Sequence, residues 1–191
     1  MSPRSPEQFQ IIREEKRALI FDAALHLFAE EGIYSSSISK IAKRAGISKG
    51  LIYNYFESKE DLLRQLMFDL MDRATELFGI AGKTELSKKD FIGIIDKSIE
   101  VVKEDVQHWK LYFAIISQPY VLEKFMGEMM ERSKPMIDLY IDYFQKNFKE
   151  NPIEQMRFFT ATLDGIQMHI LMDPDNFPSE FSRNMIVKLF T

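Results

Sequence analysis

The stretch Ser37 to Phe56, SISKIAKRAGISKGLIYNYF, constrains this chain more than any other, because its apolar spacing and its breakers admit two short helices joined by a tight turn. Ser37 has the side chain of a helix N-cap, and Ile38, Ile41, Ala42 and Ala45 then recur at helical spacing. Gly46 falls where the chain needs a backbone conformation that other residues resist. Ile47 continues the apolar set, Ser48 is a second cap, and Leu51, Ile52, Tyr55 and Phe56 give the second helix an inner face. The pattern is a helix-turn-helix, with small Ala42 allowing a close, steep crossing. The second helix of such a unit lies in the major groove of DNA, its N-terminal residues facing base edges and phosphates.

Charge agrees. Between Ile33 and Lys59 stand five basic residues, Lys40, Lys43, Arg44, Lys49 and Lys59, against one acid, Glu57, in a chain whose net charge is −4. A basic patch on an acidic protein marks a local polyanion footprint, since counterion release rewards clustered cations. The competing reading is a surface hairpin with solvated lysines. Residues 61–191 carry 16 basic and 21 acidic side chains and have no electrostatic reason to meet nucleic acid.

The wider pattern is more specific. Gly32-Ile-Tyr-Ser-Ser-Ser, Ile41-Ala42, Ala45-Gly46-Ile47-Ser48-Lys49-Gly50, Tyr53-Asn54-Tyr55-Phe56 and Ser58-Lys59-Glu60-Asp61-Leu62 resemble, in order and spacing, the signature of the TetR family. The resemblance covers the first third of the chain and implies a one-component transcription regulator. It places base or phosphate contacts at Lys49, Gly50, Tyr53, Asn54 and Tyr55, and a phosphate-binding lysine at Lys59. It also implies a small-molecule cavity in the larger half and a four-helix dimer bundle.

From the residues themselves, Ser37 and Ser48 sit at helix starts, where free amides suit phosphate oxygens, although both are ordinary caps in any case. Lys49, Gly50 and Tyr53 fall on the face opposite Ile52 and Phe56. Glycine inside a helix costs about 1 kcal/mol relative to alanine, so Gly50 needs a reason, and close approach to DNA is one. Asn54 has the chemistry to pair with adenine N6 and N7, whereas Tyr55 ranks last because it belongs to the inner face.

Sparse glycine (8) and proline (7), together with long periodic segments, predict an all-α chain of about nine helices. We expect a three-helix DNA-binding domain over residues 1–58 and a larger helical effector and dimerisation domain over 59–191. Residues 1 to about 8 read as a tail, with Arg4 and Arg13 able to reach DNA as basic arms do. The first helix runs from about Gln8 to Glu31 and stops at Gly32; the fourth starts at the Ser58 cap and continues to about Phe78. A fifth follows Ser87 to near His108, and a sixth spans Trp109 to Gln118. Tyr120 to Asn147 is helical but should break at Pro135, which removes a backbone bond. Asn151 should cap the eighth helix, Pro152 to Met172, and the ninth covers about Ser179 to Phe190.

No cysteine occurs, which excludes disulfides and thiolate sites, and no uncharged apolar run reaches the roughly 18 residues of a membrane span. We therefore expect a soluble cytoplasmic protein without a membrane partner. His26, His108 and His169 form no ligand pair, so no metal or other cofactor is expected, and no catalytic arrangement points to an enzyme.

The larger half is rich in aromatic and methionine side chains. Trp109, Tyr112, Phe113, Phe125, Met129, Phe159 and Leu163 are candidates for lining an effector cavity, with Gln118, Asp164 and Gln167 as polar orienting groups. Plain core is the alternative for each. Phe158, Thr162, Gly165, Ile166 and His169, with Met185, Ile186, Leu189 and Phe190, mark a homodimer face. The reading is a repressor that binds a palindromic double-stranded operator as a dimer and is released by a small apolar or aromatic effector. The alternative is a DNA-binding module governed by a protein partner, with no small-molecule pocket.

Overall fold

The computed structural model describes residues 6–148 and 150–191. Arg4 and most of the expected N-terminal tail lie outside the described residues. Among those residues there are nine helices and no strand: α1 (Pro6–Glu31), α2 (Ile38–Arg44), α3 (Lys49–Tyr53), α4 (Lys59–Leu77), α5 (Lys88–Glu104), α6 (Val106–Ile116), α7 (Pro119–Phe148), α8 (Pro152–Met172) and α9 (Ser179–Phe190).

The chain divides into two compact units, one running through Leu70 and joined by Leu111–Phe125, the other made of Met71–Lys110 and Met126–Thr191. In the first unit, the apolar stripe of α1 (Ile20, Ala24, Leu27, Phe28) is buried, as are Ile38, Ile41 and Ala42 of α2 and Ile52 of α3. The Phe21 and Phe56 rings meet at 5.5 Å. In the second unit, Phe91 of α5 stacks on Tyr143 of α7 with ring centroids 4.0 Å apart. Phe159 of α8 lies 4.6 Å from Phe91 and 5.4 Å from Phe190 of α9. Such ring pairs contribute beyond the area they bury and fix how helices cross.

Four local expectations are corrected. α7 runs unbroken through Pro135. Both Pro135 and Glu131, whose carbonyl loses its helical partner, are exposed, so water replaces the missing donor. Asn151 occupies the cap position of α8 but makes no side-chain cap; its backbone is left-handed (φ 47°, ψ 51°), a conformation that asparagine tolerates, and Pro152 starts the helix. α5 ends at Glu104, because Asp105 leaves helical geometry and its carboxylate accepts the His108 N–H at 3.0 Å, opening α6 early. The recognition helix ends at Tyr53, with Asn54, Tyr55 and Phe56 following as hydrogen-bonded turn rather than helix.

Candidate nucleic-acid interface

The turn that follows α1 begins at Gly32, with φ +78°, and the turn between α2 and α3 is made by Gly46, with φ +65°; both conformations are open to glycine and strained for other residues. Ser37 Oγ accepts from the Lys40 N–H at 3.2 Å, and Ser48 Oγ accepts from the Leu51 N–H at 3.2 Å, so both serines cap as their spacing indicates. Ser58 Oγ accepts from the Asp61 N–H at 3.0 Å, while Asp61 in turn accepts from the Glu57 N–H at 3.0 Å, closing the start of α4.

On α3, Ile52 is fully buried, whereas Lys49, Gly50 and Tyr53 are exposed, as is Asn54 in the turn that follows. These four sequence candidates are therefore open to a partner. The Lys49 ammonium lies 5.9 Å from the Tyr53 ring centroid. A Cβ built at Gly50 meets nothing within 4 Å, so nothing inside the protein demands a glycine there. Tyr55 is half-buried, with the Arg13 guanidinium 5.7 Å from its ring centroid. Arg13, expected as part of a DNA-reaching arm, is thus seated beside the recognition segment by a ring contact that sequence spacing does not reveal.

The cations of α2 are held by acids of α1. Lys40 Nζ donates to Glu31 at 2.5 Å and to the Ser35 carbonyl at 3.1 Å, and Arg44 donates to Glu30 at 3.0 Å. His26 and Arg44 hold the Glu30 carboxyl below its usual range, with the His26 hydrogen bond as the larger cause. Lys59 Nζ donates to the carbonyls of Ile33 at 2.7 Å and Ser36 at 3.1 Å, so this expected phosphate ligand is engaged within the domain. An ammonium has three donors, which leaves one for another acceptor.

The family model for bacterial regulatory proteins of the tetR family matches residues 20–66, a span that contains both caps, both glycine turns and the exposed face of α3. That segment is a TetR-family DNA-binding segment. Relatives of the chain include the HTH-type transcriptional regulator PksA of Bacillus subtilis strain 168, 27% identical over 86% of this chain and 83% of that protein. The fatty acid metabolism regulator protein of the same organism is 35% identical over half of this chain but only 44% of its own length. Among solved structures, the fatty acid degradation regulator FadR from Bacillus halodurans superposes with a TM-score of 0.70, at 22% identity, over 99% of this chain and 96% of that one; at that identity the likeness is one of fold. The matched segment and these relatives are those of DNA-binding transcriptional regulators.

The expected effector-lining residues are divided between the two units. Tyr112, Phe113 and Phe125 belong to the first unit, with the Tyr112 and Phe113 rings edge to face at 5.6 Å. Trp109, Met129, Phe159 and Leu163 belong to the second; Phe159 is fully enclosed, and Trp109 and Leu163 are buried. Two expected orienting amides are occupied elsewhere. Gln167 donates to the Ser98 carbonyl at 3.1 Å inside the second unit, and Gln118 serves the turn after α1. The neighbouring protein atoms push the Asp164 carboxyl above its ordinary value by partial desolvation, although the residue keeps an exposed surface.

Of the expected dimer face, Phe158 (58% exposed), Met185 and Leu189 are open, and Gly165 and His169 are exposed. Thr162 is half-buried, its hydroxyl donating to the Phe158 carbonyl. Ile166, Ile186 and Phe190 depart from expectation. They are at most 8% exposed and pack inside their own protomer, because α8 and α9 turn one stripe inward and offer the neighbouring one. Met168, Met172 and Phe181 join the open set, and the spacing 158, 162, 165, 169, 172 along α8 was the signal available for Met172.

Proposed function

We propose that this regulator is a cytoplasmic repressor that binds a palindromic operator as a homodimer and lets go when a small apolar or aromatic effector binds. Residues 1–58 read DNA, and residues 59–191 dimerise and respond. The reading is carried by the outward face of α3, where Lys49, Gly50 and Tyr53, followed by Asn54 in the next turn, are exposed on a segment anchored by buried Ile52. Lys49 suits a phosphate and Tyr53 an apolar contact, while Asn54 suits an adenine edge. Gly50, with open space where a side chain would be, lets duplex and backbone approach closely. Ser37, Ser48, Lys59 and Tyr55 complete the DNA-facing set.

The dimer is supported by apolar side chains left open on α8 and α9, among them Phe158, Met172 (71% exposed) and Leu189. A contiguous apolar face of this kind marks an interface. Gly165 lies among them with nothing within 4 Å of a built Cβ, so the protomer itself leaves room there for a second helix. Two recognition helices about 34–36 Å apart read successive major grooves, which one helix cannot do. The effector acts through its differential affinity for the DNA-competent state. The aromatic and methionine residues of the larger half support an apolar ligand. The tight ring packing around Phe159 favours the second reading, in which a protein partner governs the regulator.

Selection of bound fragments from random duplex in a salt-series gel shift tests this. A recovered palindrome with a steep salt slope is expected, and sequence-blind binding alone overturns the operator reading. In the same assay Lys49→Ala and Tyr53→Ala should weaken binding with intact melting curves.

A further inference from the structure

We propose that Gln118 is a positioning residue for DNA reading, a latch that fixes the turn between α1 and α2 and through it the entry of the helix-turn-helix. The inference rests on the DNA-binding reading above. Gln118 sits in the two-residue joint between α6, which ends at Ile116, and α7, which begins at Pro119. Its amide faces the end of α1. Nε2 donates to the Phe28 carbonyl at 2.8 Å, and Oε1 accepts the Ile33 N–H at 3.1 Å. Nε2 also lies 3.3 Å from the Ala114 carbonyl in the last turn of α6, which holds the side chain in place.

Both groups, one at the end of α1 and one in the turn after it, need such a partner. The last carbonyls of a helix have no acceptor role within it, and Phe28 is among the last four residues of α1. Ile33 follows the left-handed Gly32, is 2% exposed, and gives its N–H to Gln118. A buried N–H left alone costs more than an average hydrogen bond returns. Gln118 satisfies both groups with one planar amide. Its Oε1 comes within 3.8 Å of where a Cβ at Gly32 would stand, so the same glycine that permits the turn also admits the amide.

The turn is held on its other side as well. Lys59 donates to the carbonyls of Ile33 and Ser36, and the single Ser36 O–H is shared between the carbonyls of Leu27 and Gly32, 3.0 and 2.8 Å from its Oγ. The Tyr34 ring meets the Tyr120 ring edge-on at 5.2 Å, two residues beyond Gln118. Ser37, the next residue after this clamp, caps α2. The direction in which α2 leaves, and hence the placement of α3, follows from a turn that Gln118 ties to the α6–α7 joint. A change in that joint reaches the reading head without touching DNA.

The test uses the full-length protein, the fragment selected above as labelled duplex, and amide exchange read residue by residue. Gln118→Met keeps length and volume but removes both hydrogen bonds; Gln118→Glu keeps the acceptor for Ile33 and loses the donor to Phe28. For Gln118→Met we expect the Ile33 amide to exchange at least about tenfold faster, the amides of Leu25 and Ile52 to keep their protection, and operator affinity to fall about tenfold. Gln118→Glu should keep Ile33 protected and bind with intermediate affinity. A fast Ile33 amide with wild-type operator affinity overturns the proposal, as does unchanged exchange. Loosening of Leu25 and Ile52 together with Ile33 makes Gln118 merely structural and overturns it too. A wild type that selects no palindrome fails the operator reading instead. The comparison is then made on random duplex, where weaker binding with a fast Ile33 amide supports the latch and equal binding overturns it.

Discussion

Lys59 donates from its ammonium to the carbonyl oxygen of Ile33 at 2.7 Å, joining the first residue of α4 to the turn that follows α1. With the Ser36 carbonyl as second acceptor, this cation holds the framework of the reading head. Lys59→Met should therefore lower stability by about 1–3 kcal/mol, since two carbonyls lose a charged donor. Thermal melting checks the loss. If the third ammonium donor also meets a phosphate, the slope of log affinity against log salt falls by about one in this variant, and otherwise it stays put.

Gly50 separates folding from function. Alanine enters open space at this position and removes a glycine from α3, so Gly50→Ala should raise stability by up to about 1 kcal/mol. The added methyl stands on the face offered to DNA, and operator affinity should fall. Melting and gel shift on the same preparation decide it; tighter or unchanged binding would remove Gly50 from the interface.

Asp90 gives the second unit an acid-sensitive cap. Its carboxyl is held well below its ordinary value of 3.8, first by the Lys83 ammonium at 2.8 Å and then by the Ser87 hydroxyl and N–H. A carboxyl whose folded-state pKa is depressed stabilises the fold above its unfolded value and loses that contribution as pH falls toward the folded one. Asp90→Asn should thus be less stable than the wild type at pH 7, with the gap narrowing as pH drops below about 4. Denaturant titration across pH measures both curves.

Pro135 is an exposed interruption that α7 tolerates. Pro135→Ala restores the N–H that Glu131 lacks and relieves the ring from the preceding turn, at the cost of a more flexible unfolded chain. We expect a net gain of roughly 1–2 kcal/mol, readable as a higher denaturation midpoint.

Helix starts were legible because serine caps act within three residues, and Ser37, Ser48, Ser58 and Ser87 all accept the N–H that their spacing indicates. The outward face of α3 was legible for the same reason: one buried position, Ile52, orients the rest of the helix. Asn151 misled because its side chain and its backbone tolerance both suit a helix start, and the fold uses the backbone. Pro135 misled because whether proline breaks a helix depends on solvent access to the carbonyl before it, which no periodicity records. Gln118 and Gln167 were read as ligand groups because a buried amide announces a partner without naming it. Their partners lie 85 and 69 residues away, beyond any local pattern.

The pairing of Lys40 with Glu31 and of Arg44 with Glu30 bears on how such a protein searches a chromosome. A phosphate that approaches either cation must first take it from a carboxylate, and the freed acid then stands near the duplex as a like charge. Accidental stretches of DNA, which offer phosphates but no fitting groove, gain less from these two residues than their charge alone suggests. Dwell time on wrong sites shortens, and the two cations are released fully only where α3 is already seated.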